Sequence, residues 1–153
     1  RGMRLPADGK IVSLITFAPE AEQSDLQVLT ATANGYGKRT PIADYSRKNK
    51  GGQGNIAINT GERNGDLVAA TLVSETDDLM LITSGGVLIR TKVEQIRETG
   101  RAAAGVRLIN LDEGETLVSL ERVAEEAEDE AASESDAAEN QVVETEDTPS
   151  QES

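Results

Sequence analysis

The sequence predicts an all-β chain of four-stranded repeats, each about 51 residues long, and three observations support this fold class. Residues 28–40 align with residues 79–91 without a gap. The same turn signal lies in the middle of each copy. The first 122 residues are rich in Val, Ile, Leu, Thr and Gly and poor in aromatics, which favours many short strands. A period of this length is typical of stacked blades, as in a β-propeller.

The two copies of the turn signal predict two hairpins. Asn34-Gly35 and Gly85-Gly86 each separate two β-prone segments. A two-residue turn of type I′ needs positive φ at both central residues, which Asn and Gly tolerate. The predicted hairpin strands are Leu26–Thr32 with Tyr36–Ile42, and Leu79–Thr83 with Val87–Val93.

The remaining strands follow from the same register, in which Gly54 aligns with Gly105. Four strands in each repeat are typical of a propeller blade. We expect two nearly full repeats and a third that stops early, and therefore a partial ring and a fragment of a longer protein. The further predicted strands are Gly2–Leu5, Ile11–Phe17, Gly54–Ile58, Leu67–Val73, Gly105–Ile109 and Leu117–Val123.

Charge divides the chain into two parts. All 15 Lys and Arg lie in residues 1–122 together with 16 Asp and Glu, whereas residues 123–153 hold 12 acids and no base. The tail has too little apolar surface to offset the entropy of ordering its backbone. We therefore predict that residues 1–123 form the last two to three blades, and that residues 124–153 form a disordered acidic tail.

Composition excludes several kinds of site. The chain contains no His and no Cys, so a His or Cys metal site, a Cys nucleophile and a His base are absent. The absence of Cys is consistent with a reducing cytosol. No phosphate-binding loop, signal peptide or membrane-spanning segment is predicted. Tyr36 aligns with Val87 and Tyr45 with Ile96, which favours packing positions for both tyrosines.

Basic residues recur at matching positions of the repeats, which predicts a basic edge that binds phosphates without reading bases. Glycines beside these residues would let a backbone approach a phosphate closely. Ordinary solvated charges are the alternative interpretation, because the body as a whole is not basic. The candidate DNA contacts are Lys38, Arg39, Arg47, Lys48, Lys50, Arg90, Lys92, Arg97 and Arg101.

Three segments resemble the C-terminal domain of the bacterial DNA gyrase A subunit. They are Ala31-Thr-Ala-Asn-Gly-Tyr-Gly-Lys-Arg-Thr40, Leu79-Met-Leu-Ile-Thr-Ser-Gly-Gly86 and Gly105-Val-Arg-Leu-Ile109. The resemblance covers residues 1 to about 124, and the tail matches in its acidic character. The Gln-Arg-Arg-Gly-Gly-Lys-Gly box of the family is expected upstream, because Lys50-Gly-Gly-Gln-Gly54 matches it only in part.

The resemblance implies a β-pinwheel of about six blades, which is propeller-like, with strands exchanged between blades. Duplex DNA would wrap its basic rim, so that the holoenzyme, an A2B2 assembly with the gyrase B subunit, introduces negative supercoils. ATP and Mg²⁺ would be used by other parts of that ATP-dependent topoisomerase, and no catalytic residue or cofactor is expected in this fragment. The resemblance implies a protein of the bacterial cytoplasm that is associated with the nucleoid and not with a membrane.

Two alternatives and one hypothesis remain open. The chain could come from the related subunit of topoisomerase IV, or it could be a propeller module that binds proteins and not DNA. The acidic tail could compete with DNA for the basic edge and so tune wrapping, or it could serve only solubility.

Overall fold

The computed structural model describes residues 2–20 and 24–124, and these form two antiparallel sheets. The first sheet has the order β3-β1-β2-β6, and the second has the order β5-β4-β7. The strands are β1 (Gln27–Thr32), β2 (Tyr36–Pro41), β3 (Leu67–Val73), β4 (Asp78–Thr83), β5 (Leu88–Lys92), β6 (Val106–Arg107) and β7 (Leu117–Val123). Short 3₁₀ turns follow β2 at Ile42–Asp44 and β5 at Val93–Gln95. The all-β prediction is confirmed.

Both hairpins form where they were predicted, but their turns differ from the predicted type. The amide of Gly35 donates to the Thr32 carbonyl, and that of Gly86 donates to the Thr83 carbonyl, both at 3.0 Å. Gly35 and Gly86 have φ of 81° and 82°, whereas no described non-glycine residue, Asn34 included, has positive φ. Each loop is therefore a four-residue turn whose last residue is a glycine in the left-handed conformation. The type I′ prediction is wrong.

Strands pair both within and between repeats. The strand that ends each repeat pairs back onto the hairpin of the same repeat, so β3 pairs with β1 and β7 with β4. In addition, β6 pairs with β2 through Tyr36 opposite Arg107 and Gly37 opposite Val106. The second repeat thus pairs, through β6, with the outer strand of the first hairpin.

Three predicted strands do not form, for one physical reason. Residues 2–5, 11–17 and 54–58 make no ladder, and 105–109 forms a ladder only at Val106–Arg107. None of these three segments finds an antiparallel partner strand within residues 2–20 or 24–124. The first segments are held by isolated bonds, such as the Ala70 amide donating to Ser13 Oγ at 3.1 Å.

The core lies between the two sheets and is made almost entirely of aliphatic side chains from strands and 3₁₀ turns. Leu29 in the first hairpin and Leu79 in the second have no exposed surface, and neither do Val73 and Leu81. Burial of such side chains contributes about 1.5–3 kcal/mol each. The predicted acidic tail, apart from Ala124, lies outside the described residues.

Candidate nucleic-acid interface

Three of the basic residues predicted to contact DNA lie on the surface of the segment after β2. Lys48 and Lys50 are exposed, as is Arg47. Two short contacts hold this segment: Asn55 Nδ2 donates to the Ser46 carbonyl at 2.9 Å, and the Arg4 amide donates to the Gly52 carbonyl at 2.9 Å. Among the described residues, neither Lys48 nor Lys50 forms a salt bridge. Their ammonium groups are therefore available to an anion.

Lys38 is not on the surface, which corrects its predicted role as a phosphate contact. Its side chain has no exposed area. Its Nζ donates to the carbonyls of Gly100 at 2.7 Å and Ala103 at 2.9 Å, and also to that of Arg101. Burial, together with the nearby Arg101 charge, lowers the pKa of this ammonium. With its three protons donated to the backbone, Lys38 holds the loop that crosses β2.

Arg39 is also removed from the predicted DNA contacts, because it is buried with only 7 % of its surface exposed. Its guanidinium donates to the Ile96 carbonyl, to Gln27 Oε1 at 3.1 Å and to Glu75 Oε1 at 3.0 Å. The partners come from β1, from the loop after β3 and from the second repeat. Arg39 therefore ties two repeats together.

The loop from Arg97 to Ala104 places two further basic residues that were predicted to contact DNA beside the first repeat. Its anchors are the Thr99 amide on the Arg39 carbonyl at 2.9 Å and Thr40 Oγ1 on the Thr99 carbonyl at 2.8 Å. Arg97 is exposed, and Arg101 is half-buried with Nη1 donating to the Ile56 carbonyl at 3.4 Å. Arg101 is thus placed beside the residues that follow β2.

Arg90 and Lys92 are exposed but already have acidic partners. Arg90 Nε lies 2.6 Å from Asp78 Oδ2, and Lys92 Nζ lies 3.8 Å from Glu94 Oε1. Arg90 occupies the register of Arg39, so its bond to Asp78 corresponds to the bond from Arg39 to Gln27. To contact DNA, Arg90 or Lys92 would have to give up its carboxylate partner, although both side chains are more than 60 % exposed.

A second basic group, which the sequence did not predict, surrounds Tyr36 at the start of β2. The guanidinium carbon of Arg63 lies 4.4 Å from the centre of the Tyr36 ring, and that of Arg107 lies at 5.2 Å. Hydrogen bonds from Arg63 and then Arg107 lower the pKa of the phenol. The prediction of Tyr36 as a packing residue missed this contact, because only the pairing of β6 with β2 brings Arg107 opposite it.

Metal and membrane sites find no support in the described ranges. No group of three or more carboxylates there could hold a metal ion. No helix in residues 2–20 or 24–124 is both long and apolar enough to cross a bilayer.

A family model described as "DNA gyrase C-terminal domain, beta-propeller" matches residues 27–74 and 77–124. The chain belongs to this DNA gyrase C-terminal domain family. The two matched segments each contain one hairpin and the strand that pairs back onto it, so the family unit coincides with the repeat seen in the structure.

Gyrase A subunits are among the sequence relatives of this chain. The chain is 94 % identical over 126 residues to the DNA gyrase A subunit of Neisseria gonorrhoeae, which covers 82 % of this chain and 14 % of that protein. It is 48 % identical over 126 residues to the corresponding protein of Haemophilus influenzae, with the same coverage. The chain therefore spans about one seventh of the length of the curated relatives it matches.

Solved structures share the fold. A structure of the DNA gyrase A C-terminal domain superposes with a TM-score of 0.59 and 30 % identity, covering 63 % of this chain and 33 % of that one. A C-terminal domain of DNA topoisomerase IV superposes with a TM-score of 0.71 over 90 % of this chain and 42 % of that one. Its identity of 22 % shows likeness of fold alone.

Proposed function

We propose that this gyrase C-terminal domain binds duplex DNA through phosphate contacts. These contacts are made by exposed Lys and Arg side chains on the loops that follow β2 and precede β6. The observation that carries the proposal is the state of Lys48, Lys50 and Arg97. These side chains are exposed, and within the described ranges none of them forms a salt bridge. Arg47 and Arg101 lie on the same two loops.

The chemistry of such a surface is electrostatic. Each Lys or Arg that neutralises a phosphate releases a condensed counterion, so affinity falls with salt and does not depend on base sequence. The loops are held by backbone bonds to β2 and to the segment around Asn55, so the charges are presented without a large ordering cost on binding.

In the holoenzyme, this binding would bend DNA around the rim and favour one sign of strand crossing, so that negative supercoils are introduced. Strand cleavage and ATP hydrolysis with Mg²⁺ would be carried out elsewhere, in a complex with the gyrase B subunit in the bacterial cytoplasm. The sequence relatives support the gyrase assignment over that of topoisomerase IV, because they are gyrase A subunits.

A matched pair of double variants tests the interface. Lys48→Gln/Arg97→Gln removes two unpaired charges from the proposed surface. Lys10→Gln/Arg122→Gln removes one exposed Lys and one exposed Arg elsewhere, with Arg122 paired to Asp77 at 3.5 Å. We expect the fall of log K with log salt for duplex DNA to become shallower by about 0.9 for each lost contact, in the first variant only. Equal slopes in both variants would exclude these loops from the interface.

The acidic tail is a separate part of the proposal. Twelve carboxylates on residues 123–153 could occupy the basic loops and compete with DNA. Deletion of residues 124–153 should then tighten DNA binding at low salt. An unchanged affinity would leave the tail with a solubilising role only.

A further inference from the structure

Two arginines from different parts of the chain converge on Tyr36. Arg63 comes from the loop before β3 and stacks on the tyrosine ring, with its guanidinium carbon 4.4 Å from the ring centre. Arg107 comes from β6, and its Nη2 donates to Tyr36 Oη at 2.7 Å. Cation–π contact and a charge-assisted hydrogen bond are both favourable, so the phenol organises the two positive groups.

The backbone around this cluster is fixed from both sides. Asn34 Nδ2 donates to the carbonyls of Glu62 at 3.1 Å and Arg63 at 3.2 Å, which holds the loop against the hairpin tip. The Leu108 amide donates to the Gly35 carbonyl at 2.8 Å, which holds β6 against the same tip. The two guanidinium groups are therefore positioned before any ligand arrives.

The charge of the cluster is not neutralised by the described part of the protein. Neither Arg63 nor Arg107 forms a salt bridge there, although Glu62 and Asp66 lie close by in sequence. The other bond from Arg107 goes from Nη1 to the neutral Asn110 Oδ1 at 3.2 Å. A guanidinium has five N–H donors in a fixed fork, so both arginines keep donors that can face an anion.

The second repeat has the opposite character at the same place. Val87 stands where the first repeat has Tyr36, and its side chain is 45 % exposed. Glu115 lies beside that hairpin tip and accepts from Thr83 Oγ1 and from the Asp112 amide. The second hairpin tip therefore lacks the aromatic ring, has Gly114 where the first repeat has Arg63, and carries a carboxylate nearby.

We propose that Arg63 and Arg107, organised by Tyr36, form a clamp for a backbone phosphate of duplex DNA. The inference rests on the proposed function and extends it to the hairpin end of β2. Lys48 and Lys50 come after the other end of that strand, beyond the 3₁₀ turn at Ile42–Asp44. A duplex that contacts both groups would be held at two places on this repeat.

The test uses the complete natural polypeptide. Duplex binding is titrated with salt for the wild type, Arg63→Gln/Arg107→Gln, Lys48→Gln/Arg97→Gln and the control Lys10→Gln/Arg122→Gln. The clamp variant is expected to lose about 1–2 units of the log–log slope, whereas the control is expected to keep the wild-type slope. Urea midpoints measured in parallel identify any variant that has lost its fold. Tyr36→Phe keeps the ring that stacks on Arg63 and removes only the hydroxyl, so it should show a smaller loss.

The outcomes separate this clamp from the proposed function. A wild-type slope in the folded clamp variant, with a reduced slope in Lys48→Gln/Arg97→Gln, would overturn the clamp and leave the loop interface standing. A wild-type slope in both would overturn both. Inorganic phosphate, tested by calorimetry without DNA, distinguishes the other source of the same chemistry. Phosphate binding that disappears in the clamp variant while its DNA slope is unchanged would assign the site to a free phosphate and overturn the DNA assignment.

Discussion

At the scale of one residue, Lys38 is a basic side chain that stabilises the fold. Its ammonium group is buried against the carbonyls of Gly100, Arg101 and Ala103, so it closes the loop that carries Arg97 and Arg101. The aligned residue in the second repeat is Ile89, which is 38 % exposed and has no such loop over it in the described residues. Lys38 therefore supports the candidate interface by positioning its neighbours.

We expect Lys38→Met to destabilise the fold by about 1–3 kcal/mol, because three partly buried hydrogen bonds to backbone carbonyls are lost. The loss of a buried charge offsets part of that cost. Urea unfolding measures the change, and faster amide exchange in residues 99–104 locates it. Lys92→Met, at a side chain 63 % exposed, is the control and should change stability by less than about 0.5 kcal/mol. Equal effects of the two substitutions would contradict the structural role.

Glu115 gives a pH-dependent prediction at the same scale. Hydrogen bonds from Thr83 Oγ1 and from the Asp112 amide lower the pKa of this carboxyl below its ordinary value of 4.5. The stabilisation is therefore fully present above that value and is lost as pH falls through the lowered folded-state pKa.

Glu115→Gln should accordingly reduce the urea midpoint at neutral pH, and the difference from wild type should shrink in strongly acidic solution. Because only the difference between the two proteins is compared, the other carboxylates cancel. A difference that stays constant across that range would show that the hydrogen bonds do not depend on ionisation.

At the scale of the element, the contact between β2 and β6 joins one repeat to the next. A side chain at Gly105 would place its Cβ 2.4 Å from the Gly37 carbonyl oxygen, which is closer than real contacts allow. Gly105 also has φ of 82°, a value that disfavours other residues. The chain can therefore approach β2 this closely only because residue 105 is glycine.

Gly54 provides a matched control for this contact, because it occupies the aligned position with φ of 87° but faces only Met3 Cε at 3.5 Å. Both Gly→Ala substitutions should cost about 1–2 kcal/mol for the left-handed backbone. Gly105→Ala should cost a further 1–3 kcal/mol or so, from overpacking against β2. Equal losses in chemical unfolding would show that the close approach of β6 to Gly37 contributes nothing to stability.

At the scale of the whole molecule, local patterns predicted the hairpins and long-range contacts determined the rest. Asn34-Gly35 and Gly85-Gly86 marked both turns because turn chemistry acts within four residues. The repeat register placed β3 and β7 at their observed bounds. Ile11–Phe17 did not form a strand, because a ladder needs a partner strand and none of the described strands pairs with this segment.

Site residues were predictable only in part, for the same reason. Lys48, Lys50 and Arg97 lie in polar segments and are exposed as a sequence pattern suggests. Lys38 and Arg39 looked equivalent to them, but they are covered by a loop about 60 residues further along the chain. The cluster around Tyr36 needs β6 opposite β2, and the only trace of it in the sequence is the replacement of Tyr36 by Val87 in the other repeat.

Binding of DNA through its phosphates is best tested by a salt titration of the wild-type polypeptide with two duplexes of unrelated sequence. We expect a steep linear fall of log K with log salt, of about 0.9 for each phosphate contact, and the same line for both duplexes. Affinity that does not change with salt, or no binding to either duplex at low salt, would exclude phosphate contacts and favour a module that binds proteins.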